Sequence, residues 1–204
     1  MKLSRKCGFA TLLDPRGALL SQWIPAALLA ACAMSASAEA KLQPAQSELV
    51  FITKQMGVPV DGRFKKFDAT LNLDPKKPET GSVAFSIDMA SASLGVPESD
   101  AEMPKPIWFN TAKFAQATFQ STAIKGLGGG KFDVSGKISI KGTVRDLGVP
   151  VAIVQSGANS TATGSFVLKR IEFKIGEGEW VDPTVVANDV TVKFKLVFTG
   201  LGAL

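Results

Sequence analysis

The sequence predicts an all-β protein of antiparallel strands. Three observations carry that expectation. Apolar and polar residues alternate over short runs, turn-forming clusters separate the runs, and beyond position 38 no stretch of about ten residues keeps a helical period. Eight such runs with short connections make antiparallel neighbours and predict a barrel or a sandwich.

The first two runs, 47–55 and 67–73, are weaker strands, the first apolar on both faces in places. Asp74-Pro75 with Lys76-Lys77-Pro78 then stops the chain. The clearest strand is 82–89, where Val83, Phe85, Ile87 and Met89 alternate with Ser82, Ala84, Ser86 and Asp88. A long insert over 90–113 follows, with room for one short helix over Glu98 to Met103. The run 116–125 leads to the glycine cluster Gly126 to Gly130, expected as a hairpin loop. In 131–141, Phe132, Val134, Ile138 and Ile140 share one face, and Gly136 in that row predicts a bulge or a close backbone approach. Runs 148–155 and 162–175 flank a turn at Ser156 to Asn159. The last run, 189–199, sets Val190, Val192, Phe194, Leu196 and Phe198 against Thr191, Lys193, Lys195 and Thr199.

Residues 1–38 have the layout of a secretory signal peptide. A basic stretch reaches Arg16, an apolar run spans about 23–33, and Ala36-Ser37-Ala38 offers small residues for cleavage. That leaves 39–204 as one domain, exported to the periplasm or secreted. The alternative is a lipoprotein anchored at Cys32, because Leu29-Ala30-Ala31-Cys32 matches the pattern before a lipid-modified cysteine. Cys7 and Cys32 both lie in or beside this leader, so no internal disulfide is expected. No later run is long enough to span a membrane as a helix.

Composition narrows the chemistry. The chain has no histidine and no tyrosine, and past the leader no cysteine, so catalysis would have to rest on carboxylates, lysine or hydroxyls. The +5 net charge is largely leader: without Lys2, Arg5, Lys6, Arg16 and Asp14, 19 basic residues face 17 acidic ones. Such a balance gives no footprint for nucleic acid. The glycine cluster lacks P-loop spacing, since Lys131 opens a strand rather than a helix. Glu98, Asp100 and Glu102 form a carboxylate cluster that could serve an enzyme or simply face solvent. Trp108-Phe109, after Pro97, Pro104 and Pro106, need a partner surface: either a lid packed on the core or a flap over a cavity mouth. Trp180 poses the same choice, Glu177 and Glu179 sit in a glycine-flanked turn, and the Asn159-Ser160-Thr161 glycosylation triplet is assigned no role.

Several words of the sequence, in this order, resemble the YceI family of exported lipid- or polyisoprenoid-binding proteins. They are SELVF, GRFKKFDATLNLDP, GSVAFSIDMASASLG, WFNTAKFAQATFQST, KFDVSGKISIKGTVRDLGVPV and LKRIEFKIGEGEWVDPTVVANDVTVKFKLVF, covering about 45–199. The resemblance implies a lipocalin-like antiparallel barrel with an elongated apolar pocket for an isoprenoid lipid or quinone and does not imply catalysis; with the runs above, the expectation is an antiparallel eight-stranded barrel with a short helical insert and no cofactor. Many relatives carry histidines near the first strand and before the Trp-Phe segment, where this chain has Lys54 to Met56 and Glu102 to Pro106.

The expected cavity lining is Phe85, Ile87, Met89, Phe132, Ile138, Ile140, Phe166, Leu168, Phe194 and Leu196, with Trp108 and Phe109 as gate. Met56, Met89 and Met103 would suit chains of varied shape. Lys169 and Arg170 are the rim candidates for a polar head, a cross-strand salt bridge being the structural alternative for Arg170. Transient contact with a membrane or membrane protein would load such a carrier. The competing expectation is an interaction module whose barrel is packed solid.

Overall fold

Alternation along the chain becomes the inside and outside of a closed wall. The computed structural model describes residues 39–204. Its strands are β1 (Ala40–Leu42), β2 (Glu48–Gln55), β3 (Val58–Phe64), β4 (Phe67–Asn72), β5 (Ser82–Asp88), β6 (Ala92–Ser93), β7 (Gln116–Gly128), β8 (Lys131–Ile140), β9 (Thr143–Ser156), β10 (Asn159–Lys169) and β11 (Asp189–Thr199). One helix, α1 (Pro97–Glu102), lies in the insert. The leader expectations, including cleavage after Ala38 and the anchor at Cys32, lie outside the described residues.

Three pairs of segments are broken staves of one wall. β1 and β2 are separated by a 3-10 turn at Pro44–Gln46, and β3 and β4 by a bend at Lys65-Lys66. β5 and β6 are separated by a 3-10 turn at Met89–Ser91. Each half pairs with the matching half of its neighbour: β2 with β3, β1 with β4, β4 with β5 and β3 with β6. From β5 the ladders run through β7, β8, β9, β10 and β11, and β11 returns to both β1 and β2. All pairings are antiparallel, and the result is a closed eight-stave barrel that leaves no free edge along its circumference.

The barrel, the helical insert and the 131–141 alternation agree with the sequence expectation. β8 alternates strictly, with Phe132, Val134, Gly136, Ile138 and Ile140 buried and Lys131, Asp133, Ser135 and Lys137 exposed. Other boundaries differ. The strand expected over 162–175 ends at Lys169, because the chain turns into a 3-10 segment at Arg170–Phe173. The glycine cluster is not all loop: β7 continues to Gly128, and only Gly129 and Gly130 make the turn. β9 starts five residues before its expected position at 148, and β3 had not been expected at all. The ladder between β9 and β10 stops at Val151 and Gly164. The next residue, Pro150, turns its carbonyl toward Gly164 and has no N–H to continue the pairing.

Gly136 is both a close approach and the partner of a bulge. The register of β7 against β8 slips between Ser121 and Ala123, opposite Gly136 and Ser135. A Cβ on Gly136 would sit 2.4 Å from the Gln120 carbonyl oxygen and 2.5 Å from the Phe119 ring. The backbone contact cannot be relieved by a rotamer change. Gly136→Ala is therefore expected to lower stability by about 1–3 kcal/mol, read as a lower urea midpoint at unchanged slope.

At one end of the barrel, the tail folds back. The Leu204 amide donates to Gln155 Oε1, Gln155 Nε2 donates to the Gly202 carbonyl, and Leu201 packs on the core beside Leu73. At the opposite end, the insert after β6 and the 170–188 segment lie over the strand ends.

Candidate functional site

The barrel interior is hollow. Phe85, Phe119, Phe166 and Phe194 point inward yet are only partly buried, whereas a solid core would bury rings of that size completely. Two adjoining chambers lie inside the wall, and these rings line them. The lower one, toward the tail end, has a cavity volume of about 130 Å³, and the upper one, toward the insert, about 290 Å³. Ile87, Ala117, Ile138, Phe166 and Val192 line both and form the waist between them. The expectation of a barrel packed solid is therefore corrected.

Every residue named from the sequence as lining faces this space. Phe85, Phe132, Phe194 and Leu196 lie on the lower chamber. Met89, Ile140, Leu168, Trp108 and Phe109 lie on the upper one, and Ile87, Ile138 and Phe166 are shared. Sequence reasoning missed Ala117 and Val192 at the waist, and Phe51, Phe64 and Phe119 on the wall. Val192 and Phe119 sat in alternating runs already recognised, so their parity was the available signal. Of the methionines, Met89 and Met103 reach the cavity, while Met56 is 75 % exposed at the tip of the β2–β3 hairpin.

The upper chamber is roofed by two segments that hold each other. Trp108 and Trp180 meet at a tilt of 43° with ring centroids 5.6 Å apart, and Ile107 O accepts from the amides of Gly176 and Glu177. Phe109 is buried against Phe64 at 6.1 Å. Lys141, 9 % exposed in the β8–β9 turn, spends its three protons on Pro106 O, Lys174 O and Glu177 Oε2. That single ammonium joins both roof segments to the barrel.

Arg170 is neither at a rim nor in a salt bridge. It is 3 % exposed, and its five N–H groups go to five backbone carbonyls. Nε donates to Ala187, Nη1 to Ile175 and Gly176, and Nη2 to Trp180 and Val186, at 2.5–3.2 Å. Burial lowers its pKa below the ordinary guanidinium value, but the five bonds all require the protonated form. The adjacent Lys169 points to the outer face and pairs with Asp189 at 3.2 Å. The head-group role expected at both positions thus has no free donor at Arg170 and no inward side chain at Lys169.

The carboxylate cluster has structural partners. Asp100 accepts from the Ser93 hydroxyl at 2.6 Å and the Leu94 amide, which hold its carboxyl below the usual range. Glu102 pairs with Lys105, and Glu98 is exposed. Among the described residues no group of three His, Cys, Asp or Glu side chains could hold a metal ion, and no helix is long and apolar enough to cross a membrane.

Besides the saturated Arg170, four polar residues border the upper chamber. Thr53 and Gln55 at the end of β2 and Ser99 and Glu102 on α1 border it. Thr53 Oγ1 is the one buried side-chain polar atom without a hydrogen-bond partner among the described residues.

Known proteins with this fold share the arrangement of strands. The YceI-like domain model matches residues 41–198. A UPF0312 protein of Shewanella baltica is 30% identical over 170 residues, spanning 78% of this chain and 89% of the relative. The crystal structure of Burkholderia cenocepacia BcnA superposes with a TM-score of 0.75 at 41% identity, over 77% of this chain and 99% of BcnA. A polyisoprenoid binding domain from Saccharophagus degradans superposes with a TM-score of 0.64 at 17% identity, over 80% of this chain and 98% of that domain. With its family model matched from the first barrel strand to the last, this chain belongs to the YceI-like domain family.

Proposed function

We propose that this protein is a non-catalytic carrier that is exported to the periplasm and holds one isoprenoid lipid or quinone-type molecule inside its barrel. The observation that carries this reading is the two-chambered cavity, walled almost wholly by carbon. Each CH₂-sized group moved from water into such a space contributes roughly 0.8 kcal/mol, so a branched chain of several units is held without an ionic anchor. The description of the Saccharophagus domain as polyisoprenoid binding supports the same ligand class. The acids near the mouth each serve structure or face solvent, which favours binding over turnover. Met56, Val58 and Ile107 are exposed at the roofed end and supply an apolar contact for transient loading at a membrane or membrane protein.

Protein purified natively from its host and extracted with organic solvent is expected to release one long apolar molecule per chain, seen by mass spectrometry. Material that yields none, and takes up none when offered prenols or quinones, would falsify the carrier reading. N-terminal sequencing of the same material is expected to start at Glu39.

A further inference from the structure

Positive charge on the outside of the barrel is concentrated on one wall. Lys193 and Lys195 on β11, Lys54 on β2 and Arg63 on β3 are exposed on its outer face, and Lys65 and Lys66 follow at the bend below β3. Strand pairing sets them side by side: Lys193 and Arg63 flank Val50 from its two sides, and Lys195 lies opposite Glu48. Among the described residues none of these six bases forms an ion pair, although Lys65 adds a weak attraction at the Asp100 carboxylate. The acids of the same wall are Glu48, Asp61 and Asp189, and Asp189 is already paired with Lys169. Over 39–204 bases and acids are nearly balanced, 19 to 17, so this excess is local and not a by-product of composition. Four staves away, on the opposite wall, charges are matched: Lys137 pairs with Asp146 at 2.8 Å, and Lys125 lies opposite Asp133.

Shape and apolar surface accompany the charge. Where β1 breaks from β2 and β3 bends into β4, the wall is dented by a cleft of about 640 Å³ bordered by Arg63, Lys65, Lys66 and Lys195, with Glu48 as its one acid. Further up the same strands, the half-buried Val50 and Ile52 lie among the bases, and the β2–β3 hairpin ends in the exposed Met56 and Val58. Five residues separate Val58 from Arg63, about 17 Å at the rise of a strand. We infer that, in a carrier of the kind proposed above, this wall docks the protein side-on against an anionic phospholipid surface, with lipid phosphates at the cleft and the hairpin tip in the head-group layer. A cargo too apolar to cross water has to be collected at such a surface, and bases beside exposed apolar side chains meet phosphate and hydrocarbon together. Each base within reach strengthens partitioning roughly fivefold, and the attraction fades within a Debye length, so salt reverses it. An acidic protein would engage the bases but would leave the apolar tip unused.

The test is co-sedimentation of the purified protein with vesicles of equal parts phosphatidylglycerol and phosphatidylcholine, and with vesicles of phosphatidylcholine alone. Partitioning is expected to be at least roughly tenfold stronger on the anionic vesicles in low salt and to be lost in high salt. The triple variant Lys65→Gln, Lys66→Gln, Lys195→Gln is expected to weaken it about a hundredfold. Lys125→Gln, Lys131→Gln, Lys137→Gln removes the same charge from the opposite wall and is expected to change it no more than about threefold, because those positions face away from the surface. Circular dichroism checks that both triples fold. Equal losses in the two triples overturn the inference, since net charge alone would then act. Equal partitioning on neutral and anionic vesicles also overturns it, and so does binding to neither, which would leave an acidic protein as the partner of this wall. Uptake of a C40 prenol added from ethanol, without vesicles, tests the carrier reading separately: uptake without vesicle preference sinks only the docking, and no uptake sinks the carrier reading while the vesicles still decide the docking.

Discussion

Arg170→Met is expected to destabilise the protein by about 3–5 kcal/mol, the largest effect of any substitution outside the barrel wall. Methionine preserves much of the volume and removes all five donors. The carbonyls of Ile175, Gly176, Trp180, Val186 and Ala187 then face one another around an apolar side chain. Buried acceptors without partners cost far more than the net value of the bonds that they lose. The 170–188 segment contains no named strand and only two 3-10 turns, and its other ties run outward, to Ile107, Lys141 and the end of β2, so the guanidinium is the one group that gathers its carbonyls from within. Amide exchange should therefore rise first in that segment and in 103–109, which is tied to it through Ile107 and Lys141. Arg170→Lys, with three donors instead of five, is expected to recover only part of the loss. An unchanged urea midpoint for Arg170→Met would show that the roof does not depend on the guanidinium.

Ala117→Phe is expected to weaken uptake of a long chain sharply while leaving the barrel folded. Ala117 lies opposite Ile87 on β5 and lines both chambers, so an added ring projects into the waist. A tail that must pass the waist meets that ring, and a misfit of about 2 kcal/mol corresponds to roughly thirtyfold weaker binding. Because Ala117 is only 2 % exposed, some strain is expected in the wall. Ile138→Phe tests the same waist from β8, where Ile138 is already large. Circular dichroism and the thermal midpoint check that both variants fold. Wild-type affinity for a C40 prenol in both would mean that the tail does not cross the waist.

Strand faces could be read in the sequence because a period of two is visible without any partner. β5, β8 and β11 alternate cleanly, and all the wall residues named from them face the cavity. β3 was hidden by its own composition: Pro59 and Gly62 interrupt the pattern, and the reason for Gly62 lies on another strand, where the Phe51 ring occupies the space of a Cβ. The overrun past Lys169 has a different origin. Ile171, Phe173 and Ile175 keep alternating after the strand has ended, so periodicity alone cannot mark the turn. Arg170 was misplaced for the same reason. Its partners are backbone carbonyls, which every residue possesses, and no side chain announces them. Whether the dry face encloses space or fills it was likewise illegible, because alternation assigns a side and says nothing of volume.

The rings of Phe51, Phe119 and Phe194 lie over Gly62, Gly136 and Gly164 on the neighbouring staves, at distances where an added methyl would overlap them. Those three aromatics recline against the wall instead of standing across the lumen. The absence of a Cβ at three glycines thus leaves these rings their place along the wall. At Gly62, where the nearest atoms are all of the Phe51 ring, an added methyl would tip that ring toward the lumen and narrow the bore; at Gly136 and Gly164 the Gln120 and Pro150 carbonyls crowd the same methyl, so there the wall itself would have to give.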